Sequence, residues 1–147
     1  MRAKRHRSDA ARQASRFKKV RDAHQTEVAE DYVELIAELI RTSGEARLVD
    51  LAERLGVTNA TVNNTVQRLV RDGLVSCRPY RSIFLTDEGR ALAAASRERH
   101  RVVCEFLVAL GVDPETAEAD AEGIEHHVSD ATLAAFRDYL AKTRRSR

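Results

Sequence analysis

Few cysteines, few prolines and no long apolar run mark this 147-residue sequence. Cys77 and Cys104 stand alone, without metal-ligand spacing. A thiolate metal centre is therefore not expected, and two reduced cysteines used for packing are expected instead of a disulfide. No apolar stretch approaches the roughly 18 residues of a membrane span. The N-terminus is basic but has no apolar segment behind it, which excludes a secretory signal. A cytoplasmic protein without a membrane partner is the expectation. No internal repeat is visible. Enzymatic metal motifs are missing as well. There is no H-E-x-x-H, and Glu122 stands where H-x-x-E-H needs its first histidine. The paired Glu-x-x-His motifs of di-iron bundles are also absent. Elements this short leave little room for a substrate cleft, so neither an enzyme nor a small-molecule substrate is expected.

What is present is charge: 33% of the residues are charged and 43% hydrophobic, the balance of a globular chain with a heavily charged surface. The net charge of +2 hides an asymmetry. Arg2, Lys4, Arg5, Arg7, Arg12, Arg16, Lys18, Lys19 and Arg21 crowd the first 21 residues against Asp9 alone. The remainder is mildly acidic. A basic arm attracts polyanions without reading their sequence. Its plainer reading is a solvated, poorly ordered tail, and residues 1–27 are treated as such, with helix able to continue from Ser15 through Glu30.

From Val28 the apolar positions turn helical, with Val28, Tyr32, Leu35, Ile36, Leu39 and Ile40 on one face up to Gly44. Leu48, Leu51, Ala52 and Leu55 mark a short helix that ends at Gly56. Thr58 is placed to cap a helix from Asn59 to about Arg71, with Gly73 beyond it. Two β-like runs, 74–77 and 82–85, flank a polar tip. Thr86 caps a long helix from Asp87 to about Leu110. Asp113-Pro114 opens another to about His127, and Ser129 caps a last one carrying Leu133, Phe136 and Leu140 inward. The fold class is mostly α: an N-terminal winged helix-turn-helix over 28–88 with a small β-hairpin wing, then an all-α unit over 89–147.

A helix, a glycine turn, a second helix and a hairpin is the order of a winged helix-turn-helix. The second helix of the pair enters the major groove in such motifs. Its buried stripe is Val62, Val66, Leu69 and Val70, which leaves Thr61, Asn63, Asn64, Gln67 and Arg68 outward. Asn and Gln pair with adenine, and Arg with guanine or phosphate. Thr61, Asn63 and Asn64 lie nearest the helix start and are expected at bases, with Gln67 and Arg68 nearer phosphates. The hairpin tip adds Arg78, Tyr80 and Arg81 for phosphate or minor-groove contact.

Three clusters carry metal-ligand chemistry. Asp31 and Glu34 project together at i, i+3. His100 lies on the long helix. Glu122, Glu125 and His126 form E-x-x-E-H on one face of the next helix, which turns Ala121, Ile124 and Val128 to its apolar side. Four carboxylates and two imidazoles are enough for two divalent ions with bridging carboxylates. Hard oxygens with imidazole suit Mn²⁺ and Fe²⁺ better than Cu⁺, while Co²⁺ and Zn²⁺, higher in the affinity series, also bind such a set.

These residues resemble the manganese transport regulators of the diphtheria toxin repressor superfamily. The matching stretches are Glu30-Asp31-Tyr32-Val33-Glu34, Arg99-His100, Glu122-Gly123-Ile124-Glu125-His126-His127, the helix-turn-helix VDLAERLGVTNATVNNTVQRL and the wing-to-helix stretch IFLTDEGR. The resemblance covers about residues 28–140. It implies one metal position from Asp31, Glu122, Glu125 and His100. It implies a second from Glu34, Glu122, Glu125, His126 and the Glu122 carbonyl. Two Mn²⁺ per subunit, a helical dimerisation domain and a homodimer on an inverted-repeat DNA operator follow from it. Iron-sensing relatives carry Met and Cys in place of Asp31 and Glu122, and have an SH3-like C-terminal domain for which this chain leaves no room. The implied activity is Mn²⁺-dependent repression of metal-uptake genes. The competing readings are a winged-helix regulator sensing iron or a small organic ligand, and a packaging protein argued from the basic arm alone.

Overall fold

Helix α1 runs without interruption from Arg2 to Ser43, 42 residues with neither glycine nor proline. At 1.5 Å per residue it spans about 60 Å. The computed structural model describes residues 2–78 and 82–146, with side chains from Asp9 onward. The basic segment is thus helical from its start, well before Ser15. Nothing in it breaks the i→i−4 ladder, and Arg12–Asp9 (2.9 Å) and Lys18–Asp22 (2.7 Å) pair along its surface. Such pairs contribute only about 0.2–0.5 kcal/mol each. Propagation from the packed half of the helix supplies the rest, because adding a residue to an existing helix avoids the cost of nucleation.

The elements that follow are β1 (Ala46–Arg47), α2 (Leu48–Leu55), α3 (Asn59–Arg71), β2 (Val75–Cys77), β3 (Ser82–Leu85), α4 (Asp87–Ala109), α5 (Pro114–Ile124) and α6 (Asp130–Arg145). Gly56 closes α2 in the left-handed conformation at φ 66°, and Thr58 caps α3 by accepting the Thr61 amide. Thr86, Asp113 and Ser129 cap α4, α5 and α6 in the same way, each accepting an amide three residues on. The hairpin wing is one part of a three-stranded antiparallel sheet of order β1-β3-β2. Ala46 faces Ile83, and Val75 faces Leu85. Strand β1 is two residues long, too short to leave an alternating pattern in the sequence.

Two cores share one beam. The first joins Tyr32, Val33, Ile36 and Leu39 of α1 to Leu51, Val62, Val66, Leu69, Val75, Ile83 and Leu85, and it reaches Ala93 on α4. The second joins Val102 and Val103 of α4 to Ala121 and Leu133. Helix α4 therefore carries the winged unit at one end and the helical unit at the other. Three expected apolar positions are exposed: Val28, Val70 and Ile124. Val33 joins Tyr32, Ile36 and Leu39 on the buried side of α1. Cys77 is exposed, whereas Cys104 is part-buried.

The winged unit is tied to α4 at its start. The Thr86 hydroxyl donates to the Gly73 carbonyl at 2.6 Å, and the Thr86 amide donates to the Leu74 carbonyl at 3.1 Å. One turn on, Gly89 lies so close that a Cβ there would overlap the Leu74 carbonyl. Backbone cannot give way as a flexible side chain can. Gly89→Ala is accordingly expected to destabilise the fold by about 1–3 kcal/mol, seen as a lowered midpoint in denaturant unfolding followed by circular dichroism.

Candidate metal centre and DNA-reading face

The centre lies where α1, α4 and the end of α5 meet. Asp31 and Glu34 come from α1, His100 from α4, and Glu122, Glu125 and His126 from α5 and the turn that follows. Helix α5 stops at Ile124, with Glu125 as its C-cap. Glu125 keeps helical dihedrals and donates its amide to the Ala121 carbonyl, so it continues the buried face of Ala117 and Ala121, while Ile124, expected inward, is exposed. Arg99 holds the turn in place. Its guanidinium donates to the Glu125 carbonyl at 3.0 Å and to the Val128 carbonyl, and it pairs with Asp130 at 3.3 Å.

Glu125 is the hub. It is 1% exposed, with His100 Nδ1 2.7 Å from one oxygen and His126 Nε2 3.2 Å from the other. Neither oxygen has a hydrogen-bond partner among the described residues, and neither does buried Glu34 Oε1. Burial pushes the Glu125 carboxyl up to about 7, against the pull of His100 and His126. Burial raises Glu34 too, with the nearby Ser96 hydroxyl opposing. Burial would lower His126, yet Asp31 and Glu30 outweigh it and raise the imidazole to about 10. The same holds for His100, where Glu118, Glu125 and Glu122 override burial and raise it.

The side chains group in their own way. Asp31 sits against His126 Nε2 at 3.2 Å, while Glu122 lies 3.7 Å from His100 Nδ1. The resemblance instead assigns Asp31 to the position of His100. Three groups escaped the sequence reading. Glu30, buried beside Asp31, meets His126 Nδ1 at 2.5 Å. Glu118 meets His100 Nε2 at 2.7 Å. Ser96 is buried one turn before His100. Glu118 was findable, since it stands four residues before Glu122 on the same helical face; Glu30 and Ser96 left no comparable pattern. The outer nitrogens of both imidazoles are thus held by carboxylates, an arrangement that orients histidine ligands.

This donor set fits a divalent ion. Carboxylate oxygens without hydrogen-bond partners, buried at 1% exposure, require a cation or a proton to offset lost hydration. Two imidazoles with several hard oxygens suit a first-row ion such as Mn²⁺ or Fe²⁺.

On the winged unit, Thr61, Asn63, Asn64, Gln67 and Arg68 all stand on the exposed side of α3, opposite buried Val62, Val66 and Leu69. The Thr61 hydroxyl is engaged by the Thr58 cap at 3.0 Å. The Arg78 guanidinium lies 5.1 Å over the Phe84 ring at the base of the wing. Tyr80 and Arg81 lie outside the described residues.

Two family descriptions match consecutive parts of the chain. Residues 24–83 match the iron-dependent repressor N-terminal DNA-binding domain, and residues 86–146 match the iron-dependent repressor metal-binding and dimerisation domain. The chain is 56% identical over 126 residues to the transcriptional regulator MntR of Escherichia coli O157:H7, covering 86% of this chain and 81% of that one. It is 42% identical over 100 residues to the HTH-type transcriptional regulator MntR of Listeria monocytogenes serotype 4a, covering 68% and 70%. A solved manganese-dependent transcriptional repressor in complex with manganese is 34% identical with a TM-score of 0.69, over 77% of this chain and 52% of that one. The manganese regulator SloR is 28% identical with a TM-score of 0.67, over 77% and 53%. The chain spans about half the length of these two solved proteins. From both domain matches and these relatives, the chain belongs to the iron-dependent repressor family of the diphtheria toxin repressor superfamily and stands with its MntR-like members.

Proposed function

We propose that this protein is a manganese-responsive transcriptional repressor whose metal centre fastens the DNA-reading unit to the helical unit. The observation that carries the proposal is Glu125, buried between His100 and His126 and facing the α1 carboxylates. Asp31 and Glu34 belong to the helix that packs on the winged core, and the other ligands belong to the helical unit. Asp31, Glu34, His100, Glu122, Glu125 and His126 would hold two Mn²⁺ per subunit, with Fe²⁺, Co²⁺ and Zn²⁺ as competitors. A bound ion supplies the positive charge that lets these carboxylates approach one another. For metal to act as a signal, it must bind the DNA-competent arrangement better than others. Coupling of about 1–3 kcal/mol is usual for such linkage.

The DNA partner is an inverted-repeat operator of metal-uptake genes, read by a cytoplasmic homodimer. Thr61, Asn63, Asn64, Gln67 and Arg68 would face the major groove, with Arg78, Tyr80 and Arg81 at the flanking backbone. Exposed Val108 on α4, Leu110 at its C-cap and Tyr139 on α6 support pairing of two subunits through the helical unit. The relatives named above support the repressor and manganese parts of the reading.

Operator binding followed by fluorescence anisotropy, at fixed salt, tests this. Mn²⁺ is expected to tighten binding relative to chelator, and Glu122→Ala to remove that gain; a Glu122→Ala protein that still responds to Mn²⁺ would overturn the ligand assignment. Asn64→Ala is expected to cost about 1–3 kcal/mol of operator discrimination with Mn²⁺ present. Arg99→Ala, which frees the turn that aims Glu125 and His126, is expected to weaken Mn²⁺ about 10- to 100-fold by calorimetry. Because Glu125 holds its proton up to about 7 and His126 up to about 10, metal must displace protons. Mn²⁺ affinity is therefore expected to rise from about pH 6 to about pH 8, with protons released on binding.

A further inference from the structure

A second group of metal-ligand side chains stands beside this centre, and one of its members, Glu27, also lies within reach of Asp31 and His126. His24 and Glu27 lie one turn apart on the N-terminal extension of α1, and His127 meets them from the turn after α5. Glu27 Oε2 is 3.4 Å from His24 Nδ1 and 3.4 Å from His127 Nε2. The two rings meet edge to face, at 75° with centroids 5.3 Å apart. One ligand atom from each of the three lies within 4.8 Å of the others.

The spacing has a chemical meaning. Both contacts are longer than the 2.7–3.2 Å of an N–H···O hydrogen bond. Two ligands held 2.0–2.1 Å from a tetrahedral ion are separated by roughly 3.3–3.4 Å. The two separations from Glu27 match that spacing and are too long for good hydrogen bonds. The edge-to-face crossing lets two imidazole nitrogens converge on one point, which parallel stacked rings could not do.

We infer that His24, Glu27 and His127 form a separate site for a borderline divalent cation of the zinc or cobalt class. Two imidazoles and one carboxylate make a nitrogen-rich set, unlike the oxygen-rich centre around Glu125. Imidazole suits zinc and its neighbours, whereas Mn²⁺ stands lowest in the affinity series. Three protein ligands leave the fourth position to water, and the partial exposure of the group admits it: the side chains are 65%, 28% and 37% exposed in the order His24, Glu27, His127. A cation here ties the basic extension of α1 to the α5–α6 turn. Glu27 stands four residues before Asp31, and His127 directly follows His126. The two sites thus share elements while differing in the ion they select.

The test is a Co²⁺ titration of the full chain, read by visible absorption and by equilibrium dialysis. Wild type is compared with four variants: His24→Asn with His127→Asn, His24→Asn alone, Glu122→Ala, and Glu122→Ala with both histidine changes. The histidine pair is expected to remove one Co²⁺ per subunit from the wild-type total. Glu122→Ala is expected to keep that one equivalent and its four-coordinate absorption, and to lose both when the histidines are changed. His24→Asn alone, at an exposed position on α1 rather than on the turn itself, is expected to lose the same equivalent, which separates ligand loss from any disturbance of that turn. Unchanged Co²⁺ stoichiometry in the histidine variants would overturn the inference. Failure of the manganese reading appears elsewhere, as an undiminished Mn²⁺ response in Glu122→Ala, so the two outcomes are distinguishable.

Discussion

A carboxylate removed from water must be neutralised, and the architecture around Glu125 follows from that requirement. Its two oxygens are buried without hydrogen-bond partners among the described residues, and imidazoles from two different elements lie 2.7 and 3.2 Å from them. Each imidazole is held in turn by a carboxylate on its far side, Glu118 for His100 and Glu30 for His126. The cluster is rich in like charges that would repel one another at close range without a cation among them. In the proposed reading that requirement becomes a sensor, because the ion that relieves the repulsion also draws α1 and the α5 turn together.

Helix α4 makes that coupling possible. It enters the winged core at Gly89 and Ala93 and leaves through the helical core at Val102 and Val103. His100 and Ser96 lie on the length between the two cores. Thr86 binds the helix start to the wing, and Arg99 binds its middle to the turn that carries Glu125 and His126. Interiors packed at crystal-like density transmit displacement because they cannot absorb it. In the proposed reading, α4 is the element that would carry a change at the metal centre toward the winged unit, because both cores pack on it.

Much of this was legible in the sequence, and the exceptions have physical causes. Thr58, Thr86 and Ser129 announced their helices because a capping side chain is a local signal that needs no tertiary partner. The ligand clusters at 31/34 and 122/125/126 were visible because helical spacing alone brings their members to one face. What failed was whatever depended on the packing partner. Val28 was expected inside and Val33 was not noticed, since the buried stripe of α1 is set by where α4 crosses it. Ile124 was expected inside, but the buried face of α5 runs through Ala117, Ala121 and Glu125 instead. Strand β1, with two residues, pairs only because β3 presents an edge to it. The helicity of the basic extension was underestimated because its composition is that of a solvated tail, while its continuity with a packed helix carries no mark in composition. The partners Glu30 and Ser96 left no pattern at all, because each acts through an element distant in sequence.

Amide hydrogen exchange of the full chain, with chelator and then with Mn²⁺, addresses the central claim most directly. The account predicts that Mn²⁺ slows exchange simultaneously in α1 around residues 30–37 and in residues 121–128. Slowing confined to one of these segments, or in neither, would contradict the claim that metal fastens the DNA-reading unit to the helical unit.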